Sequence, residues 1–414
     1  MSSLKTNIFY SSILTTANYI FPLITYPYVS RVLGVSNIGA CNFVDSIINY
    51  FLMLSTLGIG IVGIREIAKN KEDKTNLQKT FSQLFTINTI STTIAIVAVL
   101  IAMHTVPKLQ ENYELMWIGV LKLVFNYLLI EWFFKGIEDF KYVTNRTILV
   151  RCLYVLSVFV FVRTTNDVSI YYFLTSATIV VNAIINLIYA RRLIKFKFCF
   201  SSLKDYSKSV AILGVYNVLT SMYTTFNVAY LGFVSSDTQV GYYTTSTKIH
   251  TIILMAFTAV TGVMMPRIAS LLSEKKYHEY KRLIKKSILI LSVCAIPCVI
   301  IIELFAPIII QIIAGSGYEG AVLPLRIIAP LVLIIGLEQI LITQSLMPMG
   351  KDKAVLMNSI IGAIIGIAAN LIFVPYLASI GSAIVWLLSE IAVMSSAIFF
   401  FKREWNIINK QEIS

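Results

Sequence analysis

The chain has 414 residues, of which 57% are hydrophobic and only 13% are charged, and its mean hydropathy is +0.78. These values exclude an ordinary soluble protein, in which about a quarter of the residues are charged. The formal net charge of +13 would suit a nucleic-acid-binding protein, but the positions of the basic residues argue against that class.

Apolar stretches of roughly twenty residues follow one another along almost the whole chain, and each could cross a hydrocarbon core about 30 Å thick as a helix. In chain order they lie at 7–31, 38–63, 81–104, 115–136, 144–163, 169–190, 208–233, 241–265, 285–306, 322–346, 354–374 and 379–401. The sequence therefore predicts an all-α polytopic membrane protein with about twelve transmembrane helices. No loop between them is long enough for a soluble domain, which excludes catalysis in an appended domain.

The first stretch, 7–31, follows a short head and is longer than the apolar core of a signal peptide. No small-residue cleavage site stands out near its end. We therefore expect this stretch to remain in the protein as its first transmembrane helix.

Basic residues are concentrated in alternate loops. About 27 of the 34 Lys and Arg residues lie in the head, in the loops that follow every second stretch, and in the tail. Because Lys and Arg accumulate in cytoplasmic loops, this asymmetry predicts that both termini are cytoplasmic. The positive charge is thus mainly a topology signal, and we expect no nucleic-acid partner.

The sequence lacks the motifs that are typical of several kinds of chemistry. The chain has no phosphate-binding G-x-x-x-x-G-K-[ST] loop, no metal-binding H-E-x-x-H helix and no convincing Ser-His-Asp set. The five cysteines show no disulfide or redox spacing. We therefore predict a protein that is not an enzyme and that needs neither a metal nor a cofactor.

A faint internal repeat divides the chain. Gly39 and Gly241 open the second and eighth stretches, Arg65 and Arg267 close them, and both pairs are separated by the same number of residues. Six spans separate the copies, so the two halves would share one orientation, as in a parallel repeat. The predicted domains are two six-helix lobes, 1–203 and 204–414.

Ionisable residues inside the apolar stretches are candidates for function, because a charge at membrane depth is costly unless it meets water or a partner. The cations Arg31, Lys122, Arg151 and Lys248 would suit a water-filled cavity for an anionic substrate such as a diphosphate. Each could instead extend to the membrane surface or pair with an acid. Asp45 is the candidate for ion coupling, and its alternative is a permanent ion pair that only stabilises packing.

Prolines mark possible interruptions of the helices. They occur at Pro22 and Pro27 in the first stretch, Pro297 in the ninth, and Pro324 and Pro330 in the tenth. Membrane helices tolerate proline where the freed carbonyl groups find other partners. Prolines at these positions are compatible with helix bending during transport, but prolines also occur in helix bundles that do not change conformation.

Five degenerate segments, whose order and spacing are fairly specific, resemble the polysaccharide repeat-unit flippases of the Wzx, or O-antigen transporter, type. They are Pro27–Gly34 with Gly39, Glu131–Phe140, Val240–Tyr243 with Lys248 and Met265–Arg267, Gly315–Glu319 with Leu325–Pro330, and Pro348–Lys351. That family belongs to the multidrug/oligosaccharidyl-lipid/polysaccharide exporter superfamily. The resemblance implies two six-helix lobes facing a central cavity, and alternating-access flipping of undecaprenyl-diphosphate-linked sugars across the bacterial inner membrane. It implies cationic cavity residues at Arg31 and Lys248.

The sequence leaves two alternatives open. One is a cation-coupled multidrug exporter of the same fold, which would favour acids over cations in its cavity. The other is a membrane-embedded polysaccharide polymerase or ligase, which usually carries a larger outside loop than any found here. For a flippase, the expected partners are a lipid-linked oligosaccharide diphosphate and membrane lipids, with glycan polymerase machinery as a further candidate.

Overall fold

The computed structural model describes residues 4–201, 203–221 and 225–413. Throughout these residues the regular secondary structure is helical, without strands. The α-helices are, in order, α1 Leu4–Thr56, α2 Ile59–Asn70, α3 Lys74–Thr105, α4 Pro107–Gln110, α5 Tyr113–Asn126, α6 Glu131–Gly136, α7 Phe140–Phe161, α8 Val168–Ala190, α9 Lys204–Ser221, α10 Thr225–Val234, α11 Asp237–Ser273, α12 Tyr277–Ile313, α13 Val322–Ile328, α14 Leu331–Leu341 and α15 Asp352–Ile413.

The prediction of a polytopic all-α protein is confirmed. Within the described residues, eight helical stretches are long and apolar enough to cross a membrane. Two of them contain a non-helical residue, Gly34 in α1 and Ala378 in α15, and each of these therefore comprises two helices. Helices α9 to α11 cover the remaining predicted stretches, 208–233 and 241–265, which gives about twelve membrane-crossing helices.

The chain forms two compact units, Met1–Val218 and Leu219–Ser414, with the boundary inside α9. The predicted parallel repeat and the predicted division at 203/204 stay predictions.

The N-terminal unit has an aromatic core. Phe81 of α3 stacks on Trp132 of α6, with ring centroids 5.4 Å apart, and meets Phe133 edge-on. Phe81 and Phe133 are fully buried, and the cluster extends to Val210 of α9. This packing holds α2, α3 and α6 together at the place where two helices are interrupted.

The first interruption lies between α1 and α2. Leu57 adopts a left-handed backbone conformation with φ of 43°. The Gly58 amide donates to the Val210 carbonyl at 3.0 Å, and the Asn217 side chain donates to the Leu57 carbonyl at 3.2 Å. Helix α9 thus satisfies backbone groups that the break releases, as a membrane interior requires.

The second interruption lies between α5 and α6. A single 3₁₀ turn, Tyr127–Leu129, is followed by Ile130 in the left-handed region with φ of 39°. The Asn186 side chain of α8 donates to the Leu129 carbonyl. No Gly or Pro occupies this break, so local sequence patterns do not predict it.

The C-terminal unit is built from α10 to α15. Helix α14 packs against α11, α12 and α15. It is followed by a π-helical segment, Ile342–Leu346, and α15 is interrupted at Ala378, where φ is 47°. The tenth stretch is broken before Pro330, between α13 and α14, whereas α1 and α12 continue through Pro22, Pro27 and Pro297.

Candidate functional site

A cavity of about 310 Å³ lies in the N-terminal unit, where the two interruptions meet. Its walls come from the end of α1, α2, α3, the α5–α6 break and α9. Much of the lining is aliphatic: Leu57, Ile59, Ile61, Ile64, Leu129 and Ile130. The rest includes three side-chain amides, two aromatic rings and one charged pair: Asn88, Asn126, Asn217, Tyr127, Trp132, Glu131 and Lys135.

Two buried polar atoms belong to this lining. Asn88 is 2% exposed and Trp132 is 7% exposed. Neither Asn88 Oδ1 nor Trp132 Nε1 has a hydrogen-bond partner within the part of the chain that the structure describes. A buried polar atom without a partner is costly, and because both atoms are also shielded from the open cavity, a ligand would reach them only if the lining rearranged.

The charged part of the lining is compensated internally. Glu131 lies between two cations, with Lys135 Nζ 3.1 Å and Arg146 Nη2 2.8 Å from its carboxylate oxygens. The Arg146 side chain is only 3% exposed and also donates to the Thr147 hydroxyl at 2.9 Å. The two charges of the lining cancel, Arg146 beside them adds one positive charge, and the amides and aromatic faces can bind a polyhydroxy group.

Arg146 and Glu131 have a role that the sequence did not reveal. In the sequence, Arg146 lies at the start of the predicted stretch 144–163 and Glu131 near the end of 115–136. In the structure both belong to one buried ion-pair network beside the cavity. The only local signal was the i,i+4 spacing of Glu131 and Lys135 on one helix face.

Asp45 and Lys122 are brought together by the fold. Lys122 Nζ lies 2.5 Å from Asp45 Oδ1, and the Tyr172 hydroxyl donates to the same oxygen at 3.2 Å. The pair can form because Gly119, one turn before Lys122, lets α5 approach Ile48 of α1 so closely that any Cβ would collide with it. Since the Lys122 ammonium is bound to Asp45, Lys122 could contact a substrate directly only if this ion pair opened.

Arg31 and Arg151 bind backbone carbonyl groups at separate places on α1. Arg31 is exposed, and its Nη1 donates to the Pro27 carbonyl at 2.6 Å. Arg151 Nη1 of α7 donates to the Ala17 carbonyl at 3.0 Å, and its guanidinium lies 6.0 Å from the Phe21 ring centroid. The two contacted carbonyls, at positions 17 and 27, are about 15 Å apart along a helix that rises 1.5 Å per residue. The cations of the N-terminal unit therefore do not form one cluster.

Lys248, the remaining predicted cation, belongs to the C-terminal unit. It is half-buried on α11, two residues before the buried His250. The described contacts do not test its predicted role, which stays a prediction, as do the roles of Arg31, Arg151 and Asp45.

Comparison with known families gives two matches. Residues 4–272 match the model of the family described as "Polysaccharide biosynthesis protein", which covers more than half of the chain. Residues 213–372 match the MatE family model.

Curated relatives match over nearly their full length. The chain is 28% identical to a protein of Escherichia coli (strain K12) named "Putative O-antigen transporter", over 97% of each chain. It is 22% identical to a protein of the same name from Shigella dysenteriae, over 94% of this chain and 98% of that one.

Solved structures share the fold. A multidrug resistance MATE family transporter of the MOP superfamily, in an inward-facing conformation, superposes with a TM-score of 0.75, covering 98% of this chain and 99% of that one. The lipid II flippase MurJ, in an inward closed conformation, gives a TM-score of 0.74 and covers 95% and 87%. Both are 15% identical to this chain, so the likeness is one of fold.

Proposed function

The chain belongs to the polysaccharide biosynthesis protein family, and from that membership we propose that it is a flippase for lipid-linked oligosaccharides. The substrate would be an undecaprenyl-diphosphate-linked repeat unit, and the membrane would be the bacterial inner membrane. The observation that carries the proposal is the family match over residues 4–272, which includes the whole N-terminal unit. The names of the two curated relatives support a transporter rather than an enzyme.

A multi-pass helical protein can meet the physical requirements of flipping a lipid-linked sugar. An undecaprenyl tail is apolar and can stay in the bilayer, whereas the diphosphate and the sugars need a polar path across it. A multi-pass helical protein can supply that path by alternating access, without any covalent step. Both termini and the most basic loops would face the cytoplasm, where the substrate is made.

The cavity would accommodate sugars. Hydroxyl groups of a glycan can donate to and accept from a side-chain amide of the lining such as Asn126, and its C–H faces can pack on Tyr127. Glu131 and Lys135 of the lining cancel each other's charge, and buried Arg146 adds one positive charge beside them. We assign the sugar part of the substrate to this cavity.

The diphosphate would bind elsewhere. Arg31 and Lys248 are the candidates, because one is exposed and the other half-buried within helices that cross the membrane. Arg offers a planar fork that matches phosphate oxygens, and Lys offers a compact charge. Lys122 is a weaker candidate, since its ammonium is paired with Asp45. Arg151, which like Arg31 donates to a carbonyl of α1, stays a candidate.

A genetic experiment tests the function. In a strain lacking this gene, we expect surface glycan to disappear and its lipid-linked precursor to accumulate on the inner leaflet, and the intact gene to reverse both effects. Arg31→Ala should fail to reverse them at a normal protein level in the membrane. Arg163→Ala, which removes an exposed Arg outside the proposed site, is the matched control and should restore the glycan. Normal surface glycan without the gene would contradict the proposal.

The MatE match over 213–372 supports one other function, a cation-coupled multidrug exporter. It would predict increased drug sensitivity of the deletion strain with unchanged surface glycan, which is the opposite pattern. Glycan polymerase machinery stays a candidate partner that would receive the flipped product.

A further inference from the structure

The segment between α8 and α9, residues 191–201, is fixed to α3 although it forms neither a helix nor a strand. We call this segment the strap. The Gln78 side chain of α3 donates to the Lys195 carbonyl at 2.5 Å and accepts from the Lys195 amide at 2.8 Å. One side-chain amide thus offers the strap the donor and the acceptor that a neighbouring β-strand would offer.

The strap runs along α3 in a nearly extended conformation. Its Cys199 amide donates to the Thr86 hydroxyl of α3 at 2.9 Å. From Gln78 to Thr86 the helix rises about 12 Å, and four residues of extended chain, from Lys195 to Cys199, cover about 13 Å. The two lengths agree, so this part of the strap lies parallel to the helix axis.

The strap covers the lipid-facing side of α3. This helix has one exposed apolar face, formed by Ile90, Ile94, Val97 and Ile101. At 100° per residue, Thr86 and Gln83 continue the same face toward the start of the helix, within about 40° of Ile90. Gln83 is also held by the strap, because its side chain donates to the Ser201 carbonyl at 2.8 Å. An exposed face of Ile and Val on a membrane helix contacts lipid, so the strap replaces lipid where this face becomes polar.

The strap lies at the edge of the hydrocarbon core. Helix α8 ends at Ala190 after 23 residues, about 35 Å, which exceeds the roughly 30 Å of that core. The strap therefore begins at the membrane surface. The apolar stretch predicted in α3 begins at 81, between Gln78 and Thr86, so the strap passes from the surface toward the acyl chains as it follows the helix.

The surface end of the strap is strongly basic. Four exposed cations lie within seven residues: Arg191, Arg192, Lys195 and Lys197. No Asp or Glu occurs between them and Asp205, and none of the four belongs to an ion pair in the described part of the chain. These cations are therefore available to an anion outside the protein.

The deeper end of the strap is aromatic. Phe196 anchors it, because its ring meets Phe81 and Phe85 edge-on with centroids 5.4 Å apart in each case. Beyond this anchor, Phe198 is 61% exposed and Phe200 is 70% exposed. Exposed Phe rings below a group of exposed cations match an amphipathic molecule that has an anionic head and apolar chains.

We propose that the strap is a binding site for an anionic phospholipid of the surrounding membrane. The phosphate lies among the four cations, and the acyl chains pack on Phe198 and Phe200. Arg and Lys both bind phosphate, Arg through a planar fork and Lys as a compact charge. Because the strap leads into α9, whose Asn217 donates to the Leu57 carbonyl at the first helix interruption, the bound lipid stabilises one wall of the cavity. This inference does not depend on which substrate is transported.

The first test localises the lipid with brominated phospholipids, which quench nearby indole fluorescence. Phe200→Trp is placed in vesicles of phosphatidylglycerol and phosphatidylcholine, of which only one is brominated, and the wild-type signal is subtracted. Brominated phosphatidylglycerol should quench the added indole more strongly. Lys195→Gln/Lys197→Gln in the same background should lower this preference about fivefold or more, since one charge near an anionic surface contributes about that factor.

The control for this test removes two exposed cations at another place near the membrane surface. Lys402→Gln/Arg403→Gln, at the end of α15, changes the net charge equally and should leave the preference at position 200 unchanged. Equal quenching by the two brominated lipids would overturn the proposal. So would an equal loss of preference in both double Gln variants, because it would show attraction to the net charge rather than a site.

The second test needs no added indole and separates the lipid from free phosphate. Dioctanoyl-phosphatidylglycerol should raise the unfolding temperature of the purified full-length protein in neutral detergent by about 1–3 °C. Phosphatidylcholine of the same chain length, or inorganic phosphate, should not. Lys195→Gln/Lys197→Gln and Gln78→Ala, which keeps every cation but releases the strap, should lose the effect, whereas Lys402→Gln/Arg403→Gln should keep it. Protection that inorganic phosphate reproduces, or that persists in Lys195→Gln/Lys197→Gln, would contradict a phospholipid site at the strap.

Discussion

The ammonium of Lys122 lies 2.5 Å from the carboxylate of Asp45, although the two residues are 77 positions apart in the chain. The Asn49 side chain also donates to this carboxylate, at 3.4 Å, so Asp45 is bound from three sides. The pair joins α1, α5 and α8, and it accounts for two of the charges that the apolar stretches contain. We therefore expect the pair to stabilise the N-terminal unit.

Breaking this ion pair from one side should be worse than removing it completely. Lys122→Met leaves Asp45 without its cation, and we expect a loss of about 1–3 kcal/mol, less than for a fully buried pair because Asp45 is partly exposed. The double variant Asp45→Asn/Lys122→Met should recover much of that loss. Thermal unfolding of the purified single and double variants in detergent measures the effect. Additive losses in the double variant would show that the two residues are not coupled.

The contact between α2 and α6 should tolerate no side chain at Gly63. A Cβ at this position would lie 2.6 Å from the Trp132 ring, so Gly63→Ala should destabilise the protein by about 1–3 kcal/mol through overpacking. Gly60→Ala, three residues earlier on the same helix, is the matched control, because no atom lies within 4 Å of its Cβ. Equal unfolding temperatures for the two variants would contradict the close contact between Gly63 and the Trp132 ring.

The cavity should select for sugars. Asn126→Ala removes one lining amide, and the loss of one hydrogen bond, about 1–1.5 kcal/mol, corresponds to roughly five- to tenfold slower flipping of the intact repeat unit. Asn112→Ala, at the other end of α5 and outside the cavity, should flip at the wild-type rate. The assignment of sugars to this cavity is wrong if the two variants flip the substrate equally fast.

The predicted orientation can be checked by cysteine labelling. In a variant without the native cysteines, single cysteines introduced at Glu72 and Glu279 should react with a membrane-impermeant reagent only after the cytoplasmic side is opened. Both positions lie in loops that are rich in Lys and Arg, and such loops are usually cytoplasmic. Reaction from outside intact cells at either position would reverse the topology.

Much of the fold follows from the sequence, because the thickness of a bilayer sets the length of every apolar stretch. The predicted gap between the stretches 7–31 and 38–63 contains the break at Gly34, where φ is 79°. The gap between 374 and 379 contains the break at Ala378. At both places, the helix is interrupted where the thickness of the bilayer limits the length of the apolar stretch.

Other features could not be predicted from one sequence. The break at Ile130 contains no Gly or Pro, and it exists because Asn186, on another helix, satisfies the released Leu129 carbonyl. The pairing of Asp45 with Lys122 depends on the close approach of α5 at Gly119. Each of these features depends on contacts between residues far apart in the chain, to which local propensity and spacing are insensitive.

The most direct test of the central claim is transbilayer movement of the substrate by the purified protein. A fluorescent undecaprenyl-diphosphate-linked repeat unit is placed in proteoliposomes, and its loss from the inner leaflet is followed with an impermeant quencher. We expect flipping well above that of protein-free vesicles, unchanged in Arg163→Ala and sharply reduced in Arg31→Ala. Movement no faster than in protein-free vesicles, with or without an imposed pH gradient, would contradict the assignment of this chain as a flippase.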